Sequence, residues 1–514
     1  MAVTIDTHSY FFLFSTGLLS ILLVHSFLRR CLKPSNKDFK SPPSPPALPI
    51  IGHLHLLSII LPKCFQALAS RYGPLMKITI GASTSLVVSN AKVAREVLKI
   101  QDLNYSNRPR FPTGDYQIYK RSSFFEAEYG AYWRFLKKIC MTELLSAQQL
   151  NRFADIRKEE FVKLLEVVLR SAKKNEAFDV GAELMSMTNN VVCRMTMSTR
   201  CSEGSDDSKK IREFTDGIVK VAAKLSLGEV WGPLKKFDLF GFGKKLKAAL
   251  TEYDELVERI MVEHESNRHG GERKRKDMMD ILLEISEDEK AEVKLNRNHI
   301  KAFLLVSLAG FIHRGHRYNC CCVAMDISRD YQPAKSVQQA QRRDQRVVGS
   351  NRLIEESDAP NLPYLQAVVK EGLRLHPPSP MILRQNNEAC KINSYDVAAK
   401  SRTIINAYAV MRDPDSWEDP SEFVPERYST SARESHEFHY LPFGSGRRAC
   451  PGSALALAVM HVVIGSLVQC FDWKVKGGEK VNMEIGPAVS GAMLHPLECY
   501  PTAQVNASII CSRV

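Results

Sequence analysis

The chain has 514 residues, 44% hydrophobic and 25% charged, a balance that fits a globular protein and excludes a disordered tail or a fibrous repeat. Its formal net charge of +13 suits an acidic partner or an anionic membrane face, although a solvated basic surface accounts for most of it. The 13 cysteines form no Cys-x-x-Cys pair; apart from Cys320, Cys321 and Cys322 they are scattered, as reduced thiols facing the cytosol are.

Residues 9–28 carry no Asp, Glu, Lys or Arg and are long enough to cross a bilayer. Arg29, Arg30, Lys33, Lys37 and Lys40 follow, and by the positive-inside rule they keep the rest of the chain on the cytosolic side. A cleaved signal peptide is the rival reading; an n-region without positive charge and the length of the apolar run speak against it. Residues 29–49 read as a basic and Pro-rich linker, since prolines as dense as those from Pro42 to Pro49 favour a stiff, extended chain. From Leu54 to about Ile300 the pattern is mainly helical, with turn marks at Tyr72-Gly73-Pro74 and Arg108-Pro109. Leu75 to Val88 is rich in β-branched residues in partial alternation and predicts a small hairpin. Asn267 to Lys276 is polar and basic and predicts an exposed loop; no aromatics are interleaved there to suit nucleic acid. No internal repeat is visible, so residues 50–514 are expected to form one large, mainly α domain with a small β portion.

Two constellations carry chemistry. The first is Phe443-Gly444-Ser445-Gly446-Arg447-Arg448-Ala449-Cys450-Pro451-Gly452, followed by an apolar helix from Ala454 to Val468. A thiolate ligand needs a backbone that curls round the sulfur and offers it N–H donors, and Gly446 and Gly452 permit so close a turn. Arg448 puts a cation where an anionic group of a cofactor can pair with it. A lone cysteine is usually a buried, inert thiol; only the whole frame lifts Cys450 out of that class. The second is Glu371 and Arg374, whose i, i+3 spacing puts both charges on one helical face. Taken alone, that is a surface ion pair worth roughly 0.5 kcal/mol.

The first frame resembles the haem-binding loop of the cytochrome P-450 monooxygenases, Phe-x-x-Gly-x-Arg-x-Cys-x-Gly, and meets every fixed position. The resemblance implies a mainly α fold and haem b, with Cys450 as the axial thiolate of the iron. Such a ligand pushes electron density toward iron. Phe443, Gly446, Arg448 and Gly452 would surround the cofactor. By the same resemblance Glu371 and Arg374 form the family's Glu-x-x-Arg pair. Arg427, in Phe423-Val424-Pro425-Glu426-Arg427-Tyr428, completes a structural triad that supports the haem pocket. Gly372 departs from the Thr that plant members usually carry, and a mid-helix glycine costs about 1 kcal/mol against alanine. Tyr132-Trp133-Arg134-Phe135-Leu136-Lys137 resembles the family's Trp-x-x-x-Arg helix, with Lys137 in the Arg place. Trp133, Lys137 and Arg384 would then approach the haem propionates. The likeness runs from the anchor to near Pro501. Leu54-His55, Ser106-Asn107-Arg108-Pro109 and Leu441-Pro442-Phe443 look most like plant microsomal members of the flavone synthase and pterocarpan hydroxylase group.

One segment, 311–346, breaks the pattern. Members of the family carry an acid–Thr pair in the helix over the haem, which guides protons to bound dioxygen. Here Ala302 to Gly310 is apolar, as in the family, but Phe311-Ile312-His313-Arg314-Gly315-His316 follows and no such pair is present. Three readings compete. In one, His313 or His316 is the proton donor of a divergent site. In another, the histidines and Cys320 to Cys322 hold a metal, although adjacent cysteines do not converge as spaced ligands do. In the third, the segment is out of frame. With each codon started one nucleotide later, Met325-Asp326 must yield Trp, Cys320 to Cys322 yield Ala or Val, and the codons around His316 can yield Asp-Thr. That shifted text is an apolar helix of the family's kind, and the third reading is favoured.

The sequence thus predicts an NADPH- and dioxygen-dependent haem-thiolate monooxygenase acting on a small apolar plant metabolite, with flavonoids or isoflavonoids as candidates. Its expected place is the endoplasmic reticulum membrane, with the catalytic domain on the cytosolic face. NADPH–cytochrome P-450 reductase is the expected electron donor, and a basic surface suits docking to an acidic partner. No nucleic-acid partner is expected. The alternative is a catalytically impaired pseudoenzyme or membrane-anchored haem binder that lacks the acid–Thr pair.

Overall fold

A computed structural model of the chain describes residues 39–110, 121–200, 241–270, 276–308, 352–428, 438–477 and 495–504, together with shorter pieces such as 12–17 and 118–119. Residues 12–17 and 19–21 are helical, with Phe12, Phe14 and Ile21 exposed. Most of the rest of the 9–28 run lies outside the described residues.

The Pro-rich stretch, expected as a linker, is docked on the body. Proline lacks an N–H but keeps its carbonyl as an acceptor. Pro43 O accepts from Lys77 N at 2.8 Å, while Lys40 O accepts from Asp396 N and Lys40 N donates to the Asp396 carboxylate (Oδ2), each at 2.8 Å. His53 is buried, its ring lying between Pro45 O (Nε2, 2.8 Å) and Thr79 N (Nδ1, 2.8 Å). At Gly52, φ is +65° and a Cβ would lie 2.3 Å from Thr79 O, so only glycine lets the chain approach here.

Helix α1 (Leu61–Tyr72) carries Pro62 in its first turn, where the missing N–H costs nothing, and closes at Gly73. The predicted hairpin follows. β1 (Leu75–Ile80) and β2 (Ser83–Val88) pair antiparallel from Leu75↔Val88 to Ile80↔Ser83. α2 (Ala91–Arg95), capped by the Asn90 side chain, runs on as a π turn to Ile100. Then come α3 (Ala131–Ile139), α4 (Ala147–Arg152), α5 (Ala154–Lys174), β3 (Phe178–Asp179) and α6 (Val180–Met197). α7 (Phe242–Gly270) is longer than expected: its helix takes in the first residues of the polar stretch read as a loop. Residues 271–275 lie outside the described residues. α8 (Met278–Glu287) and α9, residues 297–308, complete this half. Lys301 of α9 is buried against Asp254 (2.9 Å) and Glu258 (2.7 Å) of α7. The anomalous segment, with all of 309–347, lies outside the described residues.

After it, Glu356 accepts a bidentate pair from buried Arg157 of α5 at 2.5 and 2.6 Å. α10 (Pro363–Leu375) leads to β4 (Met381–Gln385), β5 (Cys390–Ile392), β6 (Tyr395–Val397), β7 (Arg402–Asn406) and α11 (Ala407–Val410). α12 (Ser453–Cys470), β8 (Phe471–Val475) and β9 (Glu498–Ala503) end the fold. The main sheet has the order β1-β2-β7-β4, with β2 parallel to β7 and β4 antiparallel to it. Period-two alternation along β4 buries Ile382 and Arg384 on one face.

By length and mean hydropathy (1.9) α12 could cross a membrane, but Met460, Val463, Ile464 and Leu467 are packed in the core with α5, α6, α8, α9 and α10. A helix apolar all round is what a central core position asks for. Cys193 is disulfide-bonded, against the reading of uniformly reduced thiols.

Candidate active site

Cys450 ends a loop that leaves Leu441 and enters α12. The loop closes on its own backbone: Cys450 N donates to Phe443 O (3.0 Å), Ala449 N to Gly446 O (3.0 Å) and Gly444 N to Leu441 O (3.1 Å). Gly444 and Gly446 both sit at φ +71°, the left-handed conformation that glycine tolerates. Gly446 also has no room for a side chain, since a Cβ would lie 2.4 Å from Asp102 Oδ1 and 2.7 Å from Leu98 O. Gly452 differs from the sequence reading. Its φ of −88° is open to any residue, and it serves as the N-cap position of α12. The Cys450 side chain is exposed and outside any disulfide. Phe443 is half-buried and packs against the large core.

Arg448 and Arg384 are buried beside the loop, and both donate to carbonyls. Arg448 Nε bonds Ser106 O (2.7 Å) and Nη2 bonds Ala127 O (2.6 Å). Arg384 bonds Leu383 O (3.0 Å) and Ser445 O (3.4 Å). Among the described residues neither has a carboxylate partner. Burial pushes Arg384 down to about 10 and, helped by the Arg384 charge, Arg448 down to about 9. Arginine does not release its proton in proteins, so these shifts express two cations in want of a counter-ion. A doubly anionic group beside the loop would relieve both, and the two propionates of haem fit that demand.

Trp133 and Lys137, both on α3, turn toward this cluster. The Trp133 indole lies under the Arg448 guanidinium at 4.4 Å, a cation–π contact. Its Nε1–H donates to Phe124 O at 3.2 Å, so that donor is engaged within the chain and not held out toward a propionate. Lys137 Nζ donates to Ala449 O at 3.1 Å, next to Cys450, and burial lowers its pKa.

Glu371, Arg374 and Arg427 meet behind α10. Arg374 Nε and Nη2 grip Glu371 Oε2 and Oε1 at 2.8 Å each. Its remaining donors reach Met411 O (2.9 Å), Pro420 O (2.6 Å) and Glu422 O (3.0 Å). Glu371 Oε1 also accepts from Arg427 Nε (3.0 Å) and Val424 N (3.0 Å). Glu371 and Arg374 are 0% exposed, so this is no surface pair.

The Cytochrome P-450 family model matches residues 42–311 and 334–502. The chain belongs to the cytochrome P-450 family. It is 40% identical to cytochrome P-450 705A5 of Arabidopsis thaliana, over 97% of this chain and 98% of that one. It is 37% identical to 3,9-dihydroxypterocarpan 6A-monooxygenase of Glycine max, over 92% of this chain and 95% of that one. A zebrafish cytochrome P-450 solved with progesterone shares the fold, with a TM-score of 0.73 at 22% identity, covering 86% of this chain and 99% of that one. Cytochrome P-450 enzymes are monooxygenases that hold haem iron through a cysteine thiolate, and haem is the cofactor of this chain. The interval that the family match skips, 312–333, falls inside the segment where the sequence pattern breaks.

Sequence reasoning missed the short stretch after α2. Asp102 reaches the Cys450 loop, accepting from Arg447 N at 3.1 Å. Asn104 Oδ1 accepts from the amides of Asn387 and Glu388 at 2.9 Å each. Asn107 Oδ1 accepts from Tyr129 N (2.6 Å), and its carbonyl takes Gln385 N (2.9 Å). One stretch thus ties together the thiolate loop, the end of the Arg384 strand and the approach to α3. The only hint in the sequence was Ser106-Asn107-Arg108-Pro109, noticed as a likeness without a role. Apart from this site, His264, Asp277 and Asp280 bring three ligand atoms within 4.8 Å of one another. Helix capping accounts for that cluster: Asp277 and Asp280 form the reciprocal cap of α8, and His264 Nε2 bonds Asp277 Oδ2 at 2.7 Å.

Proposed function

We propose that this cytochrome P-450 oxidises a small apolar plant metabolite of the flavonoid or isoflavonoid kind, with Cys450 as the axial thiolate and Arg384 and Arg448 on the haem propionates. The buried guanidinium pair beside the Cys450 loop, with no carboxylate partner among the described residues, carries the cofactor assignment. The pterocarpan monooxygenase at 37% identity supports the substrate class. Bound haem supplies the one-electron and dioxygen chemistry. The chain's part is positional. The glycine turns shape the loop that carries the sulfur, Lys137 holds Ala449 O, and Arg384 and Arg448 would hold the propionates through charge-assisted bonds. Electrons come from NADPH through NADPH–cytochrome P-450 reductase, for which the net charge of +13 provides long-range attraction. The apolar run at 9–28 anchors the chain in the endoplasmic reticulum membrane, with the body on the cytosolic face.

The test is Cys450→Ala. The parent should give the thiolate signature in its ferrous–carbon monoxide spectrum and turn over a pterocarpan or flavanone panel with reductase and NADPH. The variant should lose both. An unchanged signature in the variant removes Cys450 as ligand.

A second reading concerns the chain as written. The family match breaks at 312–333, and no acid–Thr pair stands after Gly310. A positioned proton donor contributes about 10²- to 10⁴-fold. A version with the frame restored between residues 311 and 346 should therefore exceed the written chain in turnover by about that factor. Equal turnover by the two would overturn the frameshift reading and bring His313 and His316 forward as candidate proton donors.

A further inference from the structure

The thiolate loop is held from outside by the Asp102 carboxylate. Asp102 lies just after the π turn that ends at Ile100, and its own turn is fixed by Gln101 N on Glu96 O (2.9 Å) and Tyr105 N on Gln101 O (3.0 Å). From there Oδ1 and Oδ2 accept the Arg447 N–H at 3.1 and 3.4 Å, and Oδ2 meets Arg447 Nε at 3.3 Å. Oδ1 fills the space where Gly446 would carry a Cβ. The bare glycine and the carboxylate are therefore matched: the loop can close at Gly446 because Asp102 takes up the amide that the turn exposes. Its charge also reaches Arg384, where it opposes the fall caused by burial.

We propose that Asp102 is a positioning residue for Cys450, fixing the Gly446–Arg447 turn through the Arg447 amide and so setting the direction and hydrogen-bonding surroundings of the axial sulfur. This rests on Cys450 being the ligand. The backbone bond matters more than the ion pair. The Arg447 side chain is 44% exposed, and exposed pairs contribute little. A carboxylate on an amide is a charge-assisted bond inside the loop itself.

The experiment compares Asp102→Ala, Asp102→Asn and Arg447→Ala in the full-length holoenzyme. It reads amide hydrogen exchange across 443–452, the thiolate fraction of the ferrous–carbon monoxide spectrum, and the ferric/ferrous midpoint potential. Asp102→Ala should speed exchange at Arg447 and its neighbours about tenfold or more and convert part of the thiolate signature to the neutral-thiol form. Asp102→Asn keeps an acceptor for the amide. It should hold exchange and signature near the parent, while loss of the negative charge moves the potential upward. Arg447→Ala keeps the backbone bond and should match the parent in exchange and signature. The role is overturned if Asp102→Ala matches the parent in exchange and spectrum, or if Arg447→Ala reproduces its defects. It is also overturned if exchange quickens with no change in spectrum or potential. Should Asp102→Ala fail to accumulate with haem, the Asn variant decides. A retained signature with parent-like exchange supports the acceptor role; a lost signature with parent-like exchange overturns it. The Cys450→Ala spectrum separates the two levels. If that variant keeps the thiolate signature, the ligand assignment falls and this role with it; if it loses the signature, a negative Asp102 result counts against Asp102 alone.

Discussion

Arg374 and Arg448 are both buried, yet the chain treats them in opposite ways. Arg374 has a bidentate carboxylate and three backbone carbonyls around it, and its charge is answered inside the protein. Arg448, with Arg384 nearby, has carbonyls and an indole face but no carboxylate among the described residues. An isolated buried charge is expensive unless something neutralises it. The first arginine is therefore finished as structure, and the second is the one for which the proposed function supplies a ligand. This contrast separates the pocket's support from its proposed contacts with the cofactor more sharply than motif spacing does.

The largest effect should come from Arg374→Ala. It leaves Glu371 charged and 0% exposed with, among the described residues, only Arg427 and the Val424 amide as partners. Breaking a buried pair in this way costs roughly 3–5 kcal/mol, against a typical total of about 5–15 kcal/mol for a folded domain. Denaturant unfolding of the apoprotein should show that loss, or the variant should not accumulate. A stable variant with parent-like haem content would mean that the triad does not support the pocket.

Arg448→Met should behave differently. No carboxylate is orphaned: the buried carbonyls of Ser106 and Ala127 lose a donor, a cost of about 1–3 kcal/mol, which is offset in part because an unanswered charge is no longer buried. Haem retention should fall clearly further than apo stability does, measured by haem transfer to apomyoglobin beside a denaturant titration. If Arg448→Met destabilises the apoprotein as much as Arg374→Ala does, the contrast is gone and both arginines are structural.

How much of this was legible beforehand follows the range of the interactions. The hairpin at Leu75–Val88 was readable because side-chain alternation is local. The loop from Phe443 to Gly452 was readable because its glycines answer a local backbone demand, although only Gly444 and Gly446 have positive φ and Gly452 does not. The Glu371–Arg374 spacing showed that the two share a helical face. It did not show that Met411, Pro420 and Glu422 supply the closing carbonyls, because those lie 37 to 48 positions away. Composition told that the stretch from Pro42 to Pro49 is stiff, and stiffness says nothing of docking; the bonds to Lys77 and His53 depend on the hairpin being in place. Asp102 was invisible for the same reason. A single carboxylate after a helix has no pattern until the loop 345 residues later is folded against it.

A third arginine sets the lower end of the scale. Arg352 grips Asp358 through two bonds of 2.5 and 2.7 Å, but its own side chain is 48% exposed. Water and salt screen such a pair, so Arg352→Ala should cost about 1 kcal/mol or less. The pH dependence identifies the source of that small cost. The Arg352 guanidinium holds the Asp358 carboxyl below its ordinary value of 3.8. A carboxyl whose pKa is lowered by folding adds stability that is complete above the ordinary value and is lost as the pH falls through the lowered one. The difference between parent and Arg352→Ala should therefore be present at neutral pH and close in acid, while the bond from Glu355 N to Asp358 Oδ2, 2.9 Å in the parent, does not depend on Arg352. Unfolding midpoints at neutral and acidic pH, at low and high salt, read both trends. A cost that persists undiminished in acid, or that approaches the loss at Arg374, would show that exposure does not rank these arginines and that charge pairing alone cannot tell support from ligand contact.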